Sequence, residues 1–420
     1  MDRLTGFVGI ALILGIAWLA SNNRGAINKR LVFSGMGLQV LIAVLVLKVE
    51  PVTKFFQWLG KGMEHLESFA RQGAAFVYGG IGVSTGPGVI ADYRGGGFVF
   101  AFNITATIIL VCVLVALLYH FGIMQRVVQV IAGAMNAVMR VSGAEALSNV
   151  ASAFVGQVEA QVMVRPYLKG MTQSELLASM SGSLACIAGG ILIVYVGMGT
   201  AAGLDLAPKL LAASLMAAPG ALVISKIVWP ETVESQTMGR VKLEVKSNYV
   251  NAIDAIGHGA GDGFKIAMNV IAMLIGFLGL IALIDFVLAW IGHVFNPDFH
   301  LSLNWIFGQL FTPMAWSMGV PSTDVTNVAT LLGQKLTINE FVAFQHLTDK
   351  SVPVLTEKGL TIVSFAICGF ANFSSVGMQI GGIGELAPER RGDLARLGMK
   401  ALLCGTLASY LSATIAGILV

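Results

Sequence analysis

Apolar segments of about 20 residues recur along the whole chain, separated by shorter and more polar stretches. A helix of that length spans the ~30 Å hydrocarbon core of a bilayer. Eight such segments stand out, and they cover residues 4–21, 31–49, 98–121, 174–199, 207–228, 266–294, 360–383 and 394–419. The pattern predicts an all-α polytopic membrane protein with eight transmembrane helices.

Three further segments are amphipathic. Residues 51–72 alternate aromatic and aliphatic side chains with Lys and Glu, which is typical of a helix lying in the membrane interface. Residues 123–140 and 250–265 share this character, although glycines at positions 257, 259, 261 and 263 weaken the second segment as a helix. We expect interfacial helices at these positions.

Two regions, 144–170 and 303–350, each hold two short apolar runs around a polar centre that contains glycine. The centres are 156–159 (Gly-Gln-Val-Glu) and 319–322 (Gly-Val-Pro-Ser). Because a run of about 12 residues is too short to cross the hydrocarbon, each region is predicted to enter and return as a re-entrant hairpin. Non-helical backbone at that depth must be buried in protein or line a watery cavity.

The order hairpin, crossing, crossing occurs twice, over 144–228 and over 303–419. A polar stretch at 369–375 (Gly-Phe-Ala-Asn-Phe-Ser-Ser) predicts a break in the crossing 360–383. Inverted repeats with broken helices are typical of secondary transporters, which bind their substrate at mid-depth where the repeats meet. The predicted division is 1–143 (N-terminal helices, interfacial helices and scaffold), 144–228 (first hairpin and repeat of a transport domain), 229–302 (cytoplasmic loop, interfacial helix and long scaffold helix) and 303–420 (second hairpin and repeat).

Basic residues predict the orientation in the membrane. With alternating crossings, four basic groups fall on one side, which the preference for positive charge inside makes the cytoplasm. The groups are Arg24, Lys29 and Arg30; Arg126 and Arg140; Lys226, Arg240, Lys242 and Lys246; and Arg390, Arg391 and Arg396. We therefore expect a multi-pass protein of the cytoplasmic (inner) membrane with both termini outside the cytoplasm and hairpins entering from opposite faces.

Composition agrees with a membrane protein and narrows the chemistry. Hydrophobic residues make up 56% of the chain and charged residues 12%, with a mean hydropathy of +0.79, whereas soluble proteins carry roughly 25% charged residues. The net charge is only +3, and no basic stretch is interleaved with aromatic residues, so nucleic acid is not an expected partner. The four cysteines lie in apolar runs without CxxC spacing, and the common catalytic and phosphate-binding motifs are absent from the sequence. No cofactor is expected.

Two carboxylates, Glu159 and Glu340, lie in segments predicted to be deep in the membrane. A carboxylate there is costly unless it is paired, protonated or hydrated. Each has an amide nearby, Gln157 and Asn339 respectively. These groups could cap helix breaks, or they could bind an uncharged, hydroxyl-rich molecule. Asn372, Ser374 and Ser375 at the predicted break, with Phe370 beside them, fit either interpretation.

Three separated motifs resemble the signature stretches of the concentrative nucleoside transporters. They are 156–159 (Gly-Gln-Val-Glu), 339–343 (Asn-Glu-Phe-Val-Ala) and 369–375 (Gly-Phe-Ala-Asn-Phe-Ser-Ser). The likeness extends along the chain, from 23–28 (Asn-Arg-Gly-Ala-Ile-Asn) to 388–393 (Pro-Glu-Arg-Arg-Gly-Asp). This resemblance implies a homotrimer in which a transport domain moves like an elevator, with cation-coupled uptake of nucleosides such as uridine, cytidine or adenosine.

The resemblance also implies which residues hold the ligand. The implied contacts are Gln157, Val158 and Glu159 with the nucleobase, Glu340, Asn372 and Ser375 with the ribose hydroxyls, and Ile191 and Phe370 packed around the ligand. Many relatives have Thr or Ser at the position of Val158, so the base preference is open.

The coupling ion is the point at which this sequence departs from the family pattern. Sodium-coupled relatives bind Na⁺ through an Asn and a Ser side chain and two backbone carbonyls. The corresponding positions are Ser152 and Cys186, with the carbonyls of Val155 and Ile187. Na⁺ prefers oxygen ligands, and Cys offers soft sulfur. We therefore favour H⁺ coupling, with Na⁺ coupling as the alternative.

Under H⁺ coupling, Glu159 or Glu340 would carry the proton, because burial of a carboxylate favours its protonated form. A symporter for another polar solute remains possible from the residues alone. A membrane-embedded enzyme that uses the two carboxylates as an acid/base pair is a less favoured alternative, since metal and diphosphate motifs are missing. A channel is disfavoured because opposed hairpins around a midplane site suit alternating access.

Overall fold

The computed structural model describes residues 2–79, 100–238, 249–295, 301–349 and 353–420, and within these ranges the chain is helical and without strands. Arg240, Lys242 and Lys246, used above to predict orientation, lie outside the described residues. The α-helices are α1 (Asp2–Leu19), α2 (Lys29–Lys48), α3 (Glu50–Tyr78), α4 (Phe100–His120), α5 (Ile123–Met139), α6 (Gly143–Ser152), α7 (Glu159–Met163), α8 (Arg165–Leu168), α9 (Gln173–Ala185), α10 (Gly189–Ala201), α11 (Ala207–Val228), α12 (Ala252–Phe295), α13 (Leu303–Ser317), α14 (Val325–Thr337), α15 (Glu340–Leu347), α16 (Glu357–Ile367), α17 (Phe373–Leu386) and α18 (Arg391–Leu419).

The helical architecture confirms the predicted all-α class. By length and composition, four described helical stretches can cross a membrane, or up to five if a bent pair is counted as one span, and shorter apolar helices cover Leu4–Leu19 and Leu278–Val294. The count of eight crossings stays a prediction. Helices α11 and α18 form the centre of the packing, with α2, α9 and α16 against them and α1 against α18. The two central helices are buried along most of their length.

The interfacial helix expected at 250–265 is not a separate element. It continues without interruption into the following crossing as α12, a helix of 44 residues. Gly259 and Gly263, separated by one helical turn, lie against the backbone of α4, and a Cβ on Gly259 would come within 2.8 Å of the Cys112 carbonyl oxygen. The glycines therefore permit close approach of two helices, which is the usual use of small residues in membranes.

The crossing expected at 174–199 is broken, which the sequence did not indicate. Helix α9 ends at Ala185 and α10 begins at Gly189. The predicted break in the second repeat is present, between α16 and α17. The two breaks touch, because the Phe370 N–H donates to the Cys186 carbonyl at 3.2 Å. Gly369, with φ of 152°, lets the backbones approach at this point.

The turn of the second hairpin lies at a different place from the one predicted. A turn does occur at 318–324, where Gly319 has a φ of 86°, but it joins α13 to α14. A second turn at Ile338 and Asn339 joins α14 to α15 and has no glycine. The element that corresponds to the first hairpin is therefore α14–α15, since it directly precedes the broken crossing. Asn339 begins α15 by accepting the Val342 N–H at 2.9 Å.

The first hairpin lies where it was expected. Helix α6 begins with a capping box formed by Ser142 and Glu145, and a loop at 153–158 connects it to α7 and α8. Gly156 in that loop has a φ of 121°. A buried ion pair of 2.7 Å between Lys226 and Glu145 ties the end of α11 to the start of α6. Hairpin and broken crossing are thus fixed to the central helices.

Candidate functional site

Glu340 is the first residue of α15 and is held by side chains from two other helices. Its Oε2 accepts a hydrogen bond from Asn372 Nδ2 at 2.9 Å. Its Oε1 accepts one from the Tyr195 hydroxyl at 3.3 Å. Glu340 is only 7% exposed, so the hydrogen bonds from Asn372 and Tyr195 take the place of water at its carboxylate. The second hairpin, the α16–α17 break and α10 meet at this carboxylate.

Asn372 has two functions at the break of the second crossing. Its Oδ1 accepts the Ser375 N–H at 2.8 Å, which caps α17, and it also accepts the Ser374 hydroxyl at 2.8 Å. Its amide nitrogen is thereby directed at Glu340. The two interpretations left open for these residues, capping and ligand binding, are compatible because one side chain has both an acceptor and a donor. Ser375 is buried beside it.

Tyr195 is a site residue that sequence reasoning missed. It is 1% exposed, and its ring stacks on Phe344 at 4.2 Å between centroids. The stack fixes the direction in which the hydroxyl points at Glu340. Ile191, an implied packing residue, lies one turn earlier on the same face of α10. The sequence feature that could have identified it is a tyrosine inside the apolar run 191–196, since a buried hydroxyl requires a hydrogen-bond partner.

The tip of the first hairpin rests on α17. Gln157 Nε2 lies 3.8 Å from Met378 Sδ, and the Val158 side chain lies where a Cβ on Gly382 would clash, at 2.7 Å. Gln157 Oε1 is buried without a hydrogen-bond partner among the described residues. An amide oxygen in this position is available to a ligand donor.

Glu159 follows the tip and is the first residue of α7. The backbone N–H groups of Val158 and Glu159 itself hydrogen-bond to its carboxylate, as is common where a helix begins. The side chain is exposed, and it lies within electrostatic reach of Asp262 on α12 and near Cys112 on α4. Its electrostatic neighbours therefore belong to the α4–α12 pair.

Phe370 is half-buried in the break between α16 and α17. Its N–H bonds to Cys186 of the other break, and its carbonyl accepts the Asn372 N–H at 2.8 Å. The backbone of this residue thus links the two breaks to Asn372.

The candidate ion-site residues lie together, but their side chains are engaged within the protein. The Ser152 hydroxyl donates to the Ser148 carbonyl at 2.8 Å and lies 2.9 Å from the Ser183 hydroxyl. Cys186 Sγ lies 3.9 Å from the Asn149 carbonyl. Val155 and Ile187 belong to the loop and the break on either side, where the Gly189 N–H bonds to the neighbouring Phe154 carbonyl at 3.2 Å. In the described ranges, no group of three or more His, Cys, Asp or Glu side chains could hold a metal ion.

The structure arranges four of the predicted residues, together with Tyr195, as two half-sites along α17. One half-site contains Glu340, Asn372 and Tyr195 at the start of the helix, and the other contains Gln157 and Val158 at the first hairpin. No hydrogen bond between described residues joins the two half-sites. Met378 lies six residues after Asn372, which corresponds to about 9 Å along the helix axis at 1.5 Å per residue. That spacing suits a ligand made of two linked rings, of which one carries hydroxyl groups and the other carries amide-like hydrogen-bonding groups.

Comparison with known proteins adds independent information on this arrangement. Family models described as Na⁺ dependent nucleoside transporter N-terminus, Nucleoside recognition, and Na⁺ dependent nucleoside transporter C-terminus match residues 8–81, 101–202 and 209–417. Nucleoside permease NupC of Helicobacter pylori is 38% identical over 100% of this chain and 98% of that protein. Sodium/nucleoside cotransporter 2 of Mus musculus is 36% identical over 100% of this chain and 63% of that protein.

A solved structure agrees with the fold as a whole. CNTnw in an inward-facing substrate-bound state is 39% identical, and it superposes with a TM-score of 0.91 over 100% of this chain and 99% of that one. These matches confirm the resemblance carried by the three motifs, and they support the predicted transporter over the less favoured alternative of a membrane-embedded enzyme. The chain belongs to the concentrative nucleoside transporter family, whose members are polytopic membrane transporters.

Proposed function

We propose that this protein takes up nucleosides across the cytoplasmic membrane by symport with a cation, H⁺ being favoured over Na⁺. Uridine, cytidine and adenosine are the candidate substrates. The observation that carries the proposal is the Glu340 carboxylate, which Asn372 and Tyr195 hold in a buried position at the start of a broken helix. A carboxylate with oriented lone pairs accepts hydrogen bonds from adjacent hydroxyls, which is the chemistry a ribose presents.

The first hairpin supplies the other half of the proposed binding site. Gln157 has a free amide oxygen, and an amide pairs with the donor and acceptor edges of a nucleobase. Val158 offers only apolar contact, so the discrimination between bases depends on Gln157 and Glu159. Ile191 and Phe370, both half-buried, pack beside the ligand, and Ser375 adds a hydroxyl next to Asn372. Each of these roles is a proposal.

The local chemistry at Ser152 and Cys186 supports H⁺ coupling. In a sodium site, the side chains must turn oxygen atoms toward a common point. Here the Ser152 hydroxyl is already bonded to Ser148 and Ser183, and Cys186 contributes sulfur. Glu159 or Glu340 would then carry the proton. The family descriptions name Na⁺, so the ion requires a direct measurement.

Transport itself would follow an elevator-like movement with alternating access. Close α4–α12 packing, through Gly259 and Gly263, would provide a scaffold, while the two hairpins and the broken crossings would move together around the site. A homotrimer with both termini outside the cytoplasm completes the proposal.

The decisive experiment is uptake of labelled uridine into proteoliposomes under imposed gradients. With an inward H⁺ gradient and no Na⁺, we expect accumulation above the external concentration, and collapse of the pH gradient should abolish it. Accumulation that requires Na⁺ at matched pH and ignores the proton gradient would contradict H⁺ coupling. No accumulation under either gradient would contradict symport. Unlabelled cytidine and adenosine as competitors test the substrate range.

A variant pair tests the site. Glu340→Gln removes the carboxylate with little change in shape, and we expect uridine uptake and binding to fall by at least about tenfold, because one charged acceptor is lost. Glu50→Gln is the matched control, since Glu50 is an exposed carboxylate that pairs with Lys54 on α3. Equal uptake by both variants would remove Glu340 from the binding site.

A further inference from the structure

Lys335 is a buried charged residue that the proposed mechanism does not use. It lies in the last turn of α14, and its side chain is fully buried. Its ammonium group has no hydrogen-bond partner among the residues that the structure describes. A buried cation is costly unless an anion or a helix carboxyl end compensates it. The C-terminal end of α14 provides a small part of that compensation.

Glu340 is the anion available to Lys335. It lies five residues further along the chain, just after the turn that joins α14 to α15, and the two side chains are within electrostatic reach. Cys368, at the α16–α17 break, is also within reach of Lys335. The ammonium therefore lies in the region where the second hairpin meets the broken crossing.

The other titratable groups on the helices that pack against α14 do not replace Glu340. Helix α13 carries none. On α15, His346 bonds through Nδ1 to Gln334 at 3.0 Å. On α16, Glu357 lies in the first turn, at the far end of the helix from Cys368, and pairs with Lys209 at 3.0 Å. Lys358 in the same turn carries the same charge as Lys335.

We propose that Lys335 is the internal counter-cation of Glu340 and keeps that carboxylate ionised for substrate binding. This inference rests on the proposed function, in which Glu340 accepts hydrogen bonds from the substrate, and it leaves Glu159 as the carboxylate that carries the coupling proton. Opposite charges in a low-dielectric interior stabilise each other, so removal of the ammonium makes protonation of Glu340 easier. A protonated carboxyl donates one hydrogen bond and has fewer acceptor sites for ribose hydroxyls. Lys335 is thus a positioning residue, which acts through Glu340.

Uridine binding as a function of pH tests this role. Lys335→Met preserves length without charge, and Lys335→Arg preserves the charge. In calorimetric titrations of the purified protein, we expect the Met variant to bind about tenfold more weakly at neutral pH and to recover as pH rises, because Glu340 then ionises. The Arg variant should follow the wild type. A Met variant that binds like the wild type at every pH, or is weakened equally at every pH, would overturn the inference.

Thermal unfolding provides a second measurement that does not require binding. Each of Lys335→Met and Glu340→Gln leaves one buried charge without its partner, so each should lower the melting temperature, and the double variant should regain part of the loss. Additive losses, or a double variant that fails to fold, would overturn the pairing. If Glu340→Gln binds uridine normally, the proposed function fails. If it does not bind, and Lys335→Met shows no pH dependence different from the wild type, only the counter-cation role fails.

Discussion

Asn372 offers a sharp separation of stability from binding, because one side chain caps α17 through Oδ1 and holds Glu340 through Nδ2. Asn372→Ser keeps a good N-cap but is too short to reach Glu340 as well. Asn372→Ala removes both interactions. Asn28→Ser is the matched control, since Asn28 caps α2 through the Leu31 N–H at 3.2 Å, away from the site.

The magnitudes follow from the bonds that each change removes. A hydrogen bond to a charged group contributes about 1.5–3 kcal/mol, and an N-cap about 1 kcal/mol. Tyr195 remains bonded to Glu340 at 3.3 Å in both variants, so the carboxylate is not left without a donor. We therefore expect uridine affinity to fall by about 10- to 150-fold in Asn372→Ser and Asn372→Ala. The melting temperature should fall in both variants, because both lose the bond to Glu340, and it should fall further in the Ala variant, which also loses the cap.

The assay combines calorimetric binding of uridine with thermal unfolding of the detergent-purified protein. The reasoning is refuted if Asn372→Ser binds uridine as tightly as the wild type, since the bond to Glu340 would then be irrelevant to the site. It is also refuted if the Ser and Ala variants lose the same amount of stability, because the capping contribution would then be absent. Asn28→Ser should leave both measurements close to the wild type.

Three further changes test other contacts. Tyr195→Phe keeps the ring stack but removes the hydroxyl, and because the bond is long we expect at most about a tenfold loss of uridine affinity by calorimetry, with an unchanged melting temperature. Glu145→Gln removes the nearer of two carboxylates from the buried ammonium of Lys226, which keeps Glu231 at 3.4 Å. The loss of stability should therefore be smaller than about 3–5 kcal/mol, the cost of a fully unpaired buried charge, and the melting temperature should fall. Lys226→Met added to it should restore part of the loss, whereas no change in the single variant would contradict the ion pair. Gly259→Leu should reduce the yield of folded protein in size-exclusion chromatography, because α4 leaves no room for a side chain at this position. Gly261→Leu is the control and should not reduce the yield, because a side chain there meets open space. Equal yields would contradict close α4–α12 packing.

The apolar pattern predicted much of the fold because helix length in a membrane is set by bilayer thickness. The bounds of α11 coincide with the predicted segment 207–228, and α18 agrees to within three residues. The break between α16 and α17 was predictable because Asn and Ser interrupt an apolar run. The break between α9 and α10 was not, since Cys-Ile-Ala at 186–188 is as apolar as its surroundings. Tertiary contact between the two breaks determines the backbone conformation at 186–188, and a local sequence pattern does not contain that information.

The second hairpin was misplaced because glycine and proline are strong turn signals. The sequence Gly-Val-Pro-Ser at 319–322 does form a turn, yet the turn at Ile338 and Asn339 is made without either residue. An asparagine cap before Glu340 was the better indication of a helix start. Lys335 was missed although the rule that identified Glu159 and Glu340, a charge deep in an apolar region, applies to it equally.

The position of the site at two helix breaks explains how a membrane protein can bind a polar ligand at all. Each break frees backbone groups that a continuous helix would pair, and in hydrocarbon those groups need new partners. The Phe370 N–H donates to the Cys186 carbonyl and the Ser375 N–H donates to Asn372 Oδ1, so these two backbone donors are satisfied within the protein. Among the described residues the Gln157 amide oxygen has no hydrogen-bond partner, and in the proposed site it and the remaining lone pairs of Glu340 would serve the ligand. Because these two groups belong to opposite hairpins, a substrate bound to both would join the two halves of the inverted repeat, and its release would require only one hairpin to withdraw.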